Sequence, residues 1–197
     1  MSIPANVVQL TGVTDADVNG RALDPARWED FLGQCSMLVG HNACYDAVLV
    51  ERLFPALRGA SWACSMREID WAAAGYDGRV LGYLLMQSGY FNNGHRASAD
   101  VVSLAHLLAQ RLQDWRPAMA SLLENADRPT VRIDATRAGY EAKDLLKGRG
   151  YRWNPAKRVW WTEIDAADVE AETAWLAIDG QCTAPSLTQV TAAQRHR

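Results

Sequence analysis

The sequence predicts an α/β protein in which strands alternate with helices, and two observations support this prediction. The short apolar runs "CSMLVG" and "SWACS" have the length of buried strands, and each is followed by a segment whose apolar residues recur at helical spacing. A composition of 49% hydrophobic and 22% charged residues is typical of a globular protein. At 197 residues the chain has room for one domain of usual size and a small appendage.

The alternation of strands and helices runs over the first part of the chain, and we expect a domain over 1–113. Before the first strand, "IPANVVQLTG" suggests an extended piece followed by a turn. Two helices are predicted before the first strand: one is capped by Thr14-Asp15 and ends near Gly20, and one runs from Pro25 to about Gly33. Four more are predicted after it: 43–54, 66–74, one that contains Leu81, Leu84 and Leu85, and one over about 97–112. The predicted inner face of helix 43–54 consists of Tyr45, Val48, Leu49 and Leu53.

A smaller module follows the first domain. We expect 114–128 to be a linker carrying a short helix. Residues 129–178 are predicted to form an α+β module with a strand, a helix, a hairpin that turns at Asn154-Pro155 and a last helix. The tryptophans predicted to hold this module together are Trp153, Trp160, Trp161 and Trp175. The tail 179–197 is rich in Gln, Thr and Ala without a periodic pattern, so we expect it to be disordered.

Composition and patterning exclude several classes of protein. No apolar run approaches the roughly 20 residues that cross a bilayer, and the amino terminus lacks a secretory pattern, so we expect a cytoplasmic protein without a membrane partner. The four cysteines lack CxxC spacing, which argues against structural zinc and against a disulfide framework. Cys35, Cys44 and Cys64 are predicted to be buried free thiols. With a net charge of −3, any nucleic-acid site must be a local patch or be assisted by metal.

Two aspartates and one histidine lie where metal-assisted chemistry is expected. Asp46 follows the first strand at the start of a helix, Asp100 lies early in the helix 97–112, and His95 stands in the loop before it. Carboxylates bind Mg²⁺ or Mn²⁺, and a histidine with a pKa near 6.5 suits proton abstraction from water, so the set fits phosphodiester hydrolysis. Each residue alone has a simpler interpretation, because a first-turn aspartate ordinarily complements the helix dipole and a loop histidine is ordinarily a surface residue.

The order of these residues resembles a known family. "HNACYD" (41–46) resembles the second motif of the DEDD-type 3′→5′ exonucleases, the proofreading-subunit-like superfamily. "HRASAD" (95–100) resembles the third motif, His-x4-Asp, of the histidine-bearing branch of that family. "IPANVVQLTGVTDADVNG" and "WACSMREIDW" are similar to the segments that lie between the motifs. The resemblance covers about residues 3–112 and implies a ribonuclease H-like exonuclease domain.

The resemblance also implies a function and a set of site residues. It implies hydrolysis of phosphodiester bonds at nucleic-acid 3′ ends, of DNA in preference to RNA, in repair, proofreading or turnover beside a DNA polymerase or repair partner. Two Mg²⁺ or Mn²⁺ ions are the implied cofactors, with Asp46 and Asp100 as metal ligands and His95 as general base. The implied substrate-binding residues are Asn42, His41 and Arg96. The alternative interpretations are a local hydrogen-bonding role for His41 and a solvated surface position for Arg96.

One part of the family pattern is missing. The first motif of the family is Asp-x-Glu on the opening strand, whereas "MSIPANVVQL" contains no acid, and Asp15 and Asp17 fall in the wrong element. We therefore expect the N-terminal strands of the domain to be absent, metal binding to be weak and the activity of this chain to be impaired. Either the chain is a fragment of an intact enzyme, which its two intact motifs favour, or it is a catalytically inactive homologue that binds nucleic acid or docks a partner.

The C-terminal module contains a basic segment that suits nucleic-acid binding. Residues 143–158 include six basic residues and one acidic residue, interleaved with aromatic ones. Such a hairpin can follow a phosphate backbone and stack bases, and the candidate residues are Arg152, Trp153 and Lys157. Alternatively, the tryptophans fill the core of a small module while the charges form a solvated face. The segment resembles a small domain found behind some bacterial exonucleases, and that resemblance implies no function of its own.

Overall fold

The computed structural model describes residues 2–91 and 96–197, and it shows a mixed α/β chain with small sheets. The chain divides into two compact units, 1–126 together with 196–197, and 127–195. The predicted α/β class is confirmed at this level, and the ribonuclease H-like exonuclease fold stays a prediction. None of the helices within the described ranges is both long enough and apolar enough to cross a membrane.

The first unit packs helices around one short sheet. Its elements are α1 (Ala5–Thr11), α2 (Asp15–Val18), α3 (Pro25–Gly33), β1 (Leu38–Gly40), α4 (Ala43–Leu53), β2 (Trp62–Cys64), α5 (Leu81–Gln87), α6 (Ala97–Ala109) and α7 (Ala118–Asp127). The side chains of Thr14 and Asp17 form a capping box at the start of α2. At the start of α3, the Asp24 carboxylate accepts a hydrogen bond from the Arg27 N–H, and Pro25 occupies the first helical position. The predicted starts of both helices are confirmed.

The two strands of the first unit run parallel. Their register pairs Leu38 with Trp62, Val39 with Ala63 and Gly40 with Cys64. A parallel pair needs a crossover connection, and α4 lies in it. Because the strands point the same way, the residues after Gly40 and after Cys64 meet at one edge of the sheet. There the Ser65 N–H donates to the Gly40 carbonyl oxygen at 3.0 Å, which extends the pairing beyond the strands.

Two clusters of buried side chains stabilise the first unit. The cluster between the sheet and α4 consists of Leu38, Ala43, Ala47, Trp62 and Cys64. The cluster around α5, α6 and α7 consists of Ala63, Ile69, Trp71, Leu84, Leu85, Leu107, Leu108, Ala118, Leu122 and Ala126. Because α7 contributes three of these buried residues, the first unit continues to residue 126, past the predicted boundary at 113 and through most of the predicted linker 114–128.

Two predicted elements of the first unit are wrong. The segment predicted to be extended forms α1, which begins after Pro4 and whose Val8 N–H donates to the Pro4 carbonyl. The predicted helix 66–74 is a series of turns. The Trp71 ring is buried there and its indole N–H donates to the Ser65 carbonyl at 2.7 Å, so this side chain is fixed by the core and not by a helix.

The predicted inner face of α4 is also wrong. Tyr45, Val48, Leu49 and Leu53 are exposed large side chains. The buried residues of α4 are Ala43 and Ala47, which lie in the cluster with the sheet residues Leu38 and Trp62. Small side chains let the helix approach the two-stranded sheet closely. Residues at helical spacing form two faces of α4, one of large apolar side chains and one of alanines, and the alanine face is the buried one.

The last two residues belong to the first unit. His196 is 2% exposed, and its Nε2 lies 3.2 Å from the Oε2 of Glu68, a residue 128 positions earlier. The Arg197 guanidinium pairs with Glu51 of α4 and donates to the Ala60 carbonyl at 2.8 Å. These contacts give structure to a part of the chain for which disorder is predicted.

The second unit is an antiparallel sheet packed against helices. Its elements are β3 (Thr130–Ala135), α8 (Lys143–Gly148), β4 (Arg152–Asn154), β5 (Val159–Asp165), α9 (Val169–Ile178) and β6 (Ser186–Val190). The strand order is β4-β5-β3-β6, and all neighbouring strands are antiparallel. The predicted strand, hairpin and last helix are confirmed. β6 lies in the predicted tail 179–197 and adds a strand that sequence patterning did not indicate.

The buried carboxylate of Glu172 lies beside the core of the second unit. The core cluster consists of Ile133, Ala135, Ala142, Leu146, Tyr151, Leu176 and Cys182. Beside it, the Glu172 carboxylate accepts hydrogen bonds from Arg149 Nε at 2.9 and 3.0 Å and from the Tyr151 hydroxyl at 3.0 Å. Burial, together with the Glu172 carboxylate, raises the pKa of Tyr151. The Arg149 guanidinium also lies 4.3 Å from the centroid of the Trp175 ring, so this tryptophan contacts a cation as well as the core.

All four cysteines are free thiols, and of the three predicted to be buried only Cys64 is fully buried. Cys35 is exposed, Cys44 is partly buried, and Cys64 and Cys182 are buried. Cys35 lies in the turn between α3 and β1, where its N–H donates to the Leu32 carbonyl. Apolar neighbours in the sequence therefore do not suffice to bury Cys35.

Truncation of one buried leucine in each unit tests whether the units have separate cores. Leu122→Ala in α7 and Leu176→Ala in α9 remove side chains that are 0% exposed, and each should lower the free energy of unfolding by about 2–5 kcal/mol. Hydrogen exchange should show lost protection mainly in the unit that carries the substitution. Leu123→Ala, which truncates the half-exposed neighbour of Leu122, is the control. Equal loss of protection in both units would contradict separate cores.

Candidate functional site

The junction between β1 and α4 is the candidate functional site. β1 ends at Gly40 and α4 begins at Ala43, so only His41 and Asn42 connect them. Asn42 has a left-handed backbone with φ of 74°, a conformation that asparagine tolerates better than most residues. Its Oδ1 accepts a hydrogen bond from the Cys44 thiol at 3.2 Å. This tight connection places the first turn of α4 directly after the carboxyl end of β1.

Asp46 lies in that first turn and is half-buried. A Cβ added to Gly40 would lie 3.1 Å from Asp46 Oδ2 and 3.2 Å from the Ala43 Cα, so glycine is what lets the carboxylate lie against the strand end. Burial raises the pKa of the Asp46 carboxyl group, and only its own backbone N–H opposes that shift. Among the described residues, no cationic side chain pairs with it. An uncompensated carboxylate at the carboxyl end of a parallel strand is typical of a functional site.

His41 ties the junction to two other segments. Its Nδ1 lies 2.9 Å from Ser65 Oγ, and its Nε2 lies 2.8 Å from the Arg79 carbonyl oxygen. Because a carbonyl only accepts, Nε2 carries the proton, and Nδ1 of the neutral ring accepts from the Ser65 hydroxyl. The buried Ser65 Oγ also lies 3.3 Å from the Gly40 carbonyl oxygen. Burial lowers the pKa of His41, so the neutral ring is the form that holds the junction.

The segment that resembles the third motif of the family lies at the start of α6, and part of it falls outside the described residues. His95, the predicted general base, is one of the residues outside them. Asp100 lies in the first turn of α6 and is half-buried. Arg96 stands at the helix N-cap, where its Nε and Nη2 donate to the carbonyls of Thr11 and Gly12 at 3.0 and 3.2 Å. The predicted phosphate-binding arginine thus anchors the end of α1.

The described residues offer a divalent cation carboxylate oxygens, which are suitable ligands, but they bring few such ligands together. Carboxylate oxygens are the ligands that Mg²⁺ and Mn²⁺ prefer. Within 2–91 and 96–197, no three side chains of the His, Cys, Asp or Glu type come together as a metal-binding group. The donor chemistry at Asp46 therefore fits a weakly held cation, and the described residues do not supply a complete two-ion site.

The predicted nucleic-acid-binding residues lie elsewhere, in the β4–β5 hairpin of the second unit. Arg152, Trp153 and Lys157 are all exposed. The Trp153 ring lies 5.6 Å from the Trp160 ring and is tilted by 59°, while 48% of the Trp153 surface remains accessible. The hairpin thus combines a packed tryptophan with an accessible one, and its part in binding stays a prediction.

Sequence reasoning missed two residues of the junction, Gly40 and Ser65. Both had a usable signal, because each stands at or just after the end of a predicted buried strand. The carboxyl ends of parallel strands meet at one edge of a sheet, which would have brought them together. The third partner, the Arg79 carbonyl, has no sequence signal, since every residue supplies a carbonyl and its place depends on the turns before it.

Comparison of the chain with protein-family models, with characterised proteins and with solved structures found no match. The resemblance to the DEDD-type exonucleases therefore rests on the residues of two motifs. The geometry of the β1–α4 junction is the independent observation that bears on function.

Replacement of Asp46 tests whether its carboxylate costs stability. A pKa raised above 3.8 means that the folded state holds the Asp46 proton more tightly than the unfolded state does, so stability falls as the pH rises through the folded-state pKa. Asp46→Asn should therefore be more stable than the wild type at neutral pH, with the difference shrinking as the pH approaches 3.8. Urea denaturation across this range measures it. Asp30→Asn, on the exposed side of α3, is the control, and an Asp46→Asn that is less stable at neutral pH would contradict the assignment.

Replacement of His41 tests its bridging role with the opposite pH dependence. The pKa of His41 is lowered from 6.5, so below that pH the unfolded state binds a proton at His41 more readily than the folded state does. The free energy of unfolding therefore falls as the pH falls. His41→Gln should lose about 1–2 kcal/mol near pH 7.5 through poorer hydrogen bonds, and it should remove the loss of stability that the wild type shows as the pH falls below 6.5. The exposed His106→Gln is the matched control. An unchanged pH dependence in His41→Gln would rule out a buried neutral imidazole.

Proposed function

We propose that this chain is a nucleic-acid 3′-end hydrolase of the DEDD exonuclease type, with DNA favoured over RNA. The observation that carries the proposal is the Asp46 carboxylate, half-buried at the carboxyl end of β1 with no paired cation among the described residues. A desolvated charge without a partner costs stability, and proteins keep such groups where a ligand supplies the missing charge. Asp46 occupies the position that the second motif of the family gives to a metal ligand.

The proposed roles follow from the motifs and from the contacts. Asp46 and Asp100 are the residues that would hold Mg²⁺ or Mn²⁺, and the ions when bound would offset the negative charge of the phosphodiester. His95 is the proposed general base that takes a proton from the attacking water. His41 uses both ring nitrogens within the protein, so we assign it to holding the junction. Asn42 supplies the left-handed turn that sets the direction of α4.

A catalytically inactive homologue that binds nucleic acid or docks a partner is the second candidate. It is favoured by the finding that the described residues contain no three-membered metal-binding group. On either candidate, Asp46 remains a carboxylate at the carboxyl end of a parallel pair. The two candidates differ in whether the junction turns over substrate, and an activity assay separates them.

An exonuclease assay with a metal-binding readout tests the proposed function. Wild-type chain with Mn²⁺ should release mononucleotides from the 3′ end of a labelled single-stranded DNA, and His95→Ala should reduce the rate by about 10²–10⁴-fold. Mn²⁺ should also raise the melting temperature of the wild type and not that of Asp46→Asn, because only a protein that binds the ion is stabilised by it.

Asp30→Asn controls for the loss of one negative charge and should behave as the wild type in both readouts. Activity that persists in the double variant His95→Ala, Asp100→Ala would show that the roles are wrongly assigned. Mn²⁺ stabilisation without nucleotide release would favour the inactive homologue. If Mn²⁺ neither stabilises the wild type nor supports nucleotide release, a metal-dependent hydrolase is rejected.

A further inference from the structure

The β4–β5 hairpin of the second unit has a well-defined turn that carries two basic side chains. The Asn154 Oδ1 accepts a hydrogen bond from the Lys157 N–H at 3.0 Å, which closes the turn. Arg158 has a left-handed backbone with φ of 51°, and β5 begins at the next residue. Lys157 and Arg158 are both exposed. Two basic side chains are thus presented from a turn that is defined by its own hydrogen bond and not by a flexible loop.

The exposed cationic side chains of the hairpin have no acidic partners among the described residues. Within the part of the chain that the structure describes, no ion pair involves Arg152, Lys157 or Arg158. Arg149, in the same basic segment, is by contrast neutralised by Glu172. The acids of the second unit are concentrated elsewhere, because residues 163–179 contain six acidic residues and no basic one. The hairpin therefore carries uncompensated positive charge, which attracts a polyanion.

Arg152 is held in place by an aromatic ring. Its guanidinium carbon lies 4.1 Å from the Trp161 ring centroid, and that of Arg132 lies 4.2 Å from the same centroid. β5 lies between β4 and β3, so the two guanidinium groups approach Trp161 from opposite sides. Arg132 is also paired with Asp134 at 2.8 Å, whereas among the described residues the Arg152 side chain contacts the ring without an ion pair. A stacked guanidinium keeps its N–H groups free at its edge to donate to phosphate oxygens.

Trp153 adds an accessible aromatic surface on the other face of the same strand. It follows Arg152 on β4, so the two side chains project to opposite faces of the strand. β4 is the edge strand of its sheet, and Arg152 and Trp153 are both exposed. One part of the Trp153 ring packs against Trp160, and 48% of the residue surface is accessible. Such a ring offers a face on which an unpaired base stacks.

We propose that this hairpin is a binding site for single-stranded nucleic acid, with phosphates at Arg152, Lys157 and Arg158 and one base stacked on Trp153. A single strand fits better than a duplex, because only unpaired bases expose their faces to a side chain. This site is distinct from the β1–α4 junction and does not depend on the proposed hydrolase activity. It explains why exposed cations and an accessible tryptophan lie together at a sheet edge.

The test measures binding of the full chain to a fluorescently labelled oligothymidylate, by anisotropy over a series of salt concentrations and without divalent metal. The triple variant Arg152→Gln, Lys157→Gln, Arg158→Gln should bind at least tenfold more weakly at low salt. Its slope of log affinity against log salt should be smaller in magnitude by about 2. The triple variant Arg21→Gln, Arg52→Gln, Arg58→Gln, at exposed positions of the first unit, removes the same charge and should bind as the wild type.

Two further variants separate this proposal from its alternatives. Trp153→Ala should weaken binding by about tenfold with little change in the salt slope, because stacking does not release counterions. Asp30→Asn, at an exposed position outside both proposed sites, should leave the affinity unchanged. Because the assay contains no divalent metal, failure of the hydrolase assay has no bearing on this result. Binding that is lost equally in both triple variants, or equal affinity for inorganic polyphosphate with no effect of Trp153→Ala, would overturn the proposal. A labelled oligouridylate in the same assay distinguishes RNA from DNA.

Discussion

The parallel pairing of β1 with β2 is the constraint on which the candidate site depends. Each strand has only three residues, yet their register places Gly40 opposite Cys64 and so brings Ser65 beside the end of β1. Ser65 then bonds both the Gly40 backbone and the His41 ring, and the ring in turn reaches the Arg79 carbonyl. A shift of one residue in this pairing would exchange the faces of the strand and separate all of these groups.

Two acids of the protein differ in how their burial is compensated. Glu172 is more deeply buried than Asp46, but Arg149 and Tyr151 supply it with three hydrogen bonds. Its burial is therefore compensated, and it acts as a bridge between elements of the second unit. Asp46 lies against Gly40 and draws no such donors from other described residues. The difference lies in the surroundings of the two groups, and residue type alone does not reveal it.

The sequence predicted the elements whose signals are local and missed those set by packing. The starts of α2 and α3 were predictable because Thr14 and Asp24 are capping residues, and β1 and β2 because they are short apolar runs. The buried face of α4 was mispredicted because large apolar residues outweighed Ala43 and Ala47 in the pattern. The turns at 66–74 depend on burial of Trp71, a tertiary effect. At the site, the positions of Asp46 and His41 were predictable, whereas their partners Ser65 and Arg79 required the fold.

The contact between Glu68 and His196 has a consequence for the order of events during synthesis. Its two residues are separated by 128 positions, and the whole second unit lies between them in the chain. Glu68 emerges from the ribosome long before His196 is made, so the first unit cannot reach its final arrangement around Glu68 until His196 has emerged as well. Closure of so long a loop also belongs to the slow, late steps of folding, so residues 196–197 join the first unit after much of that unit has been synthesised.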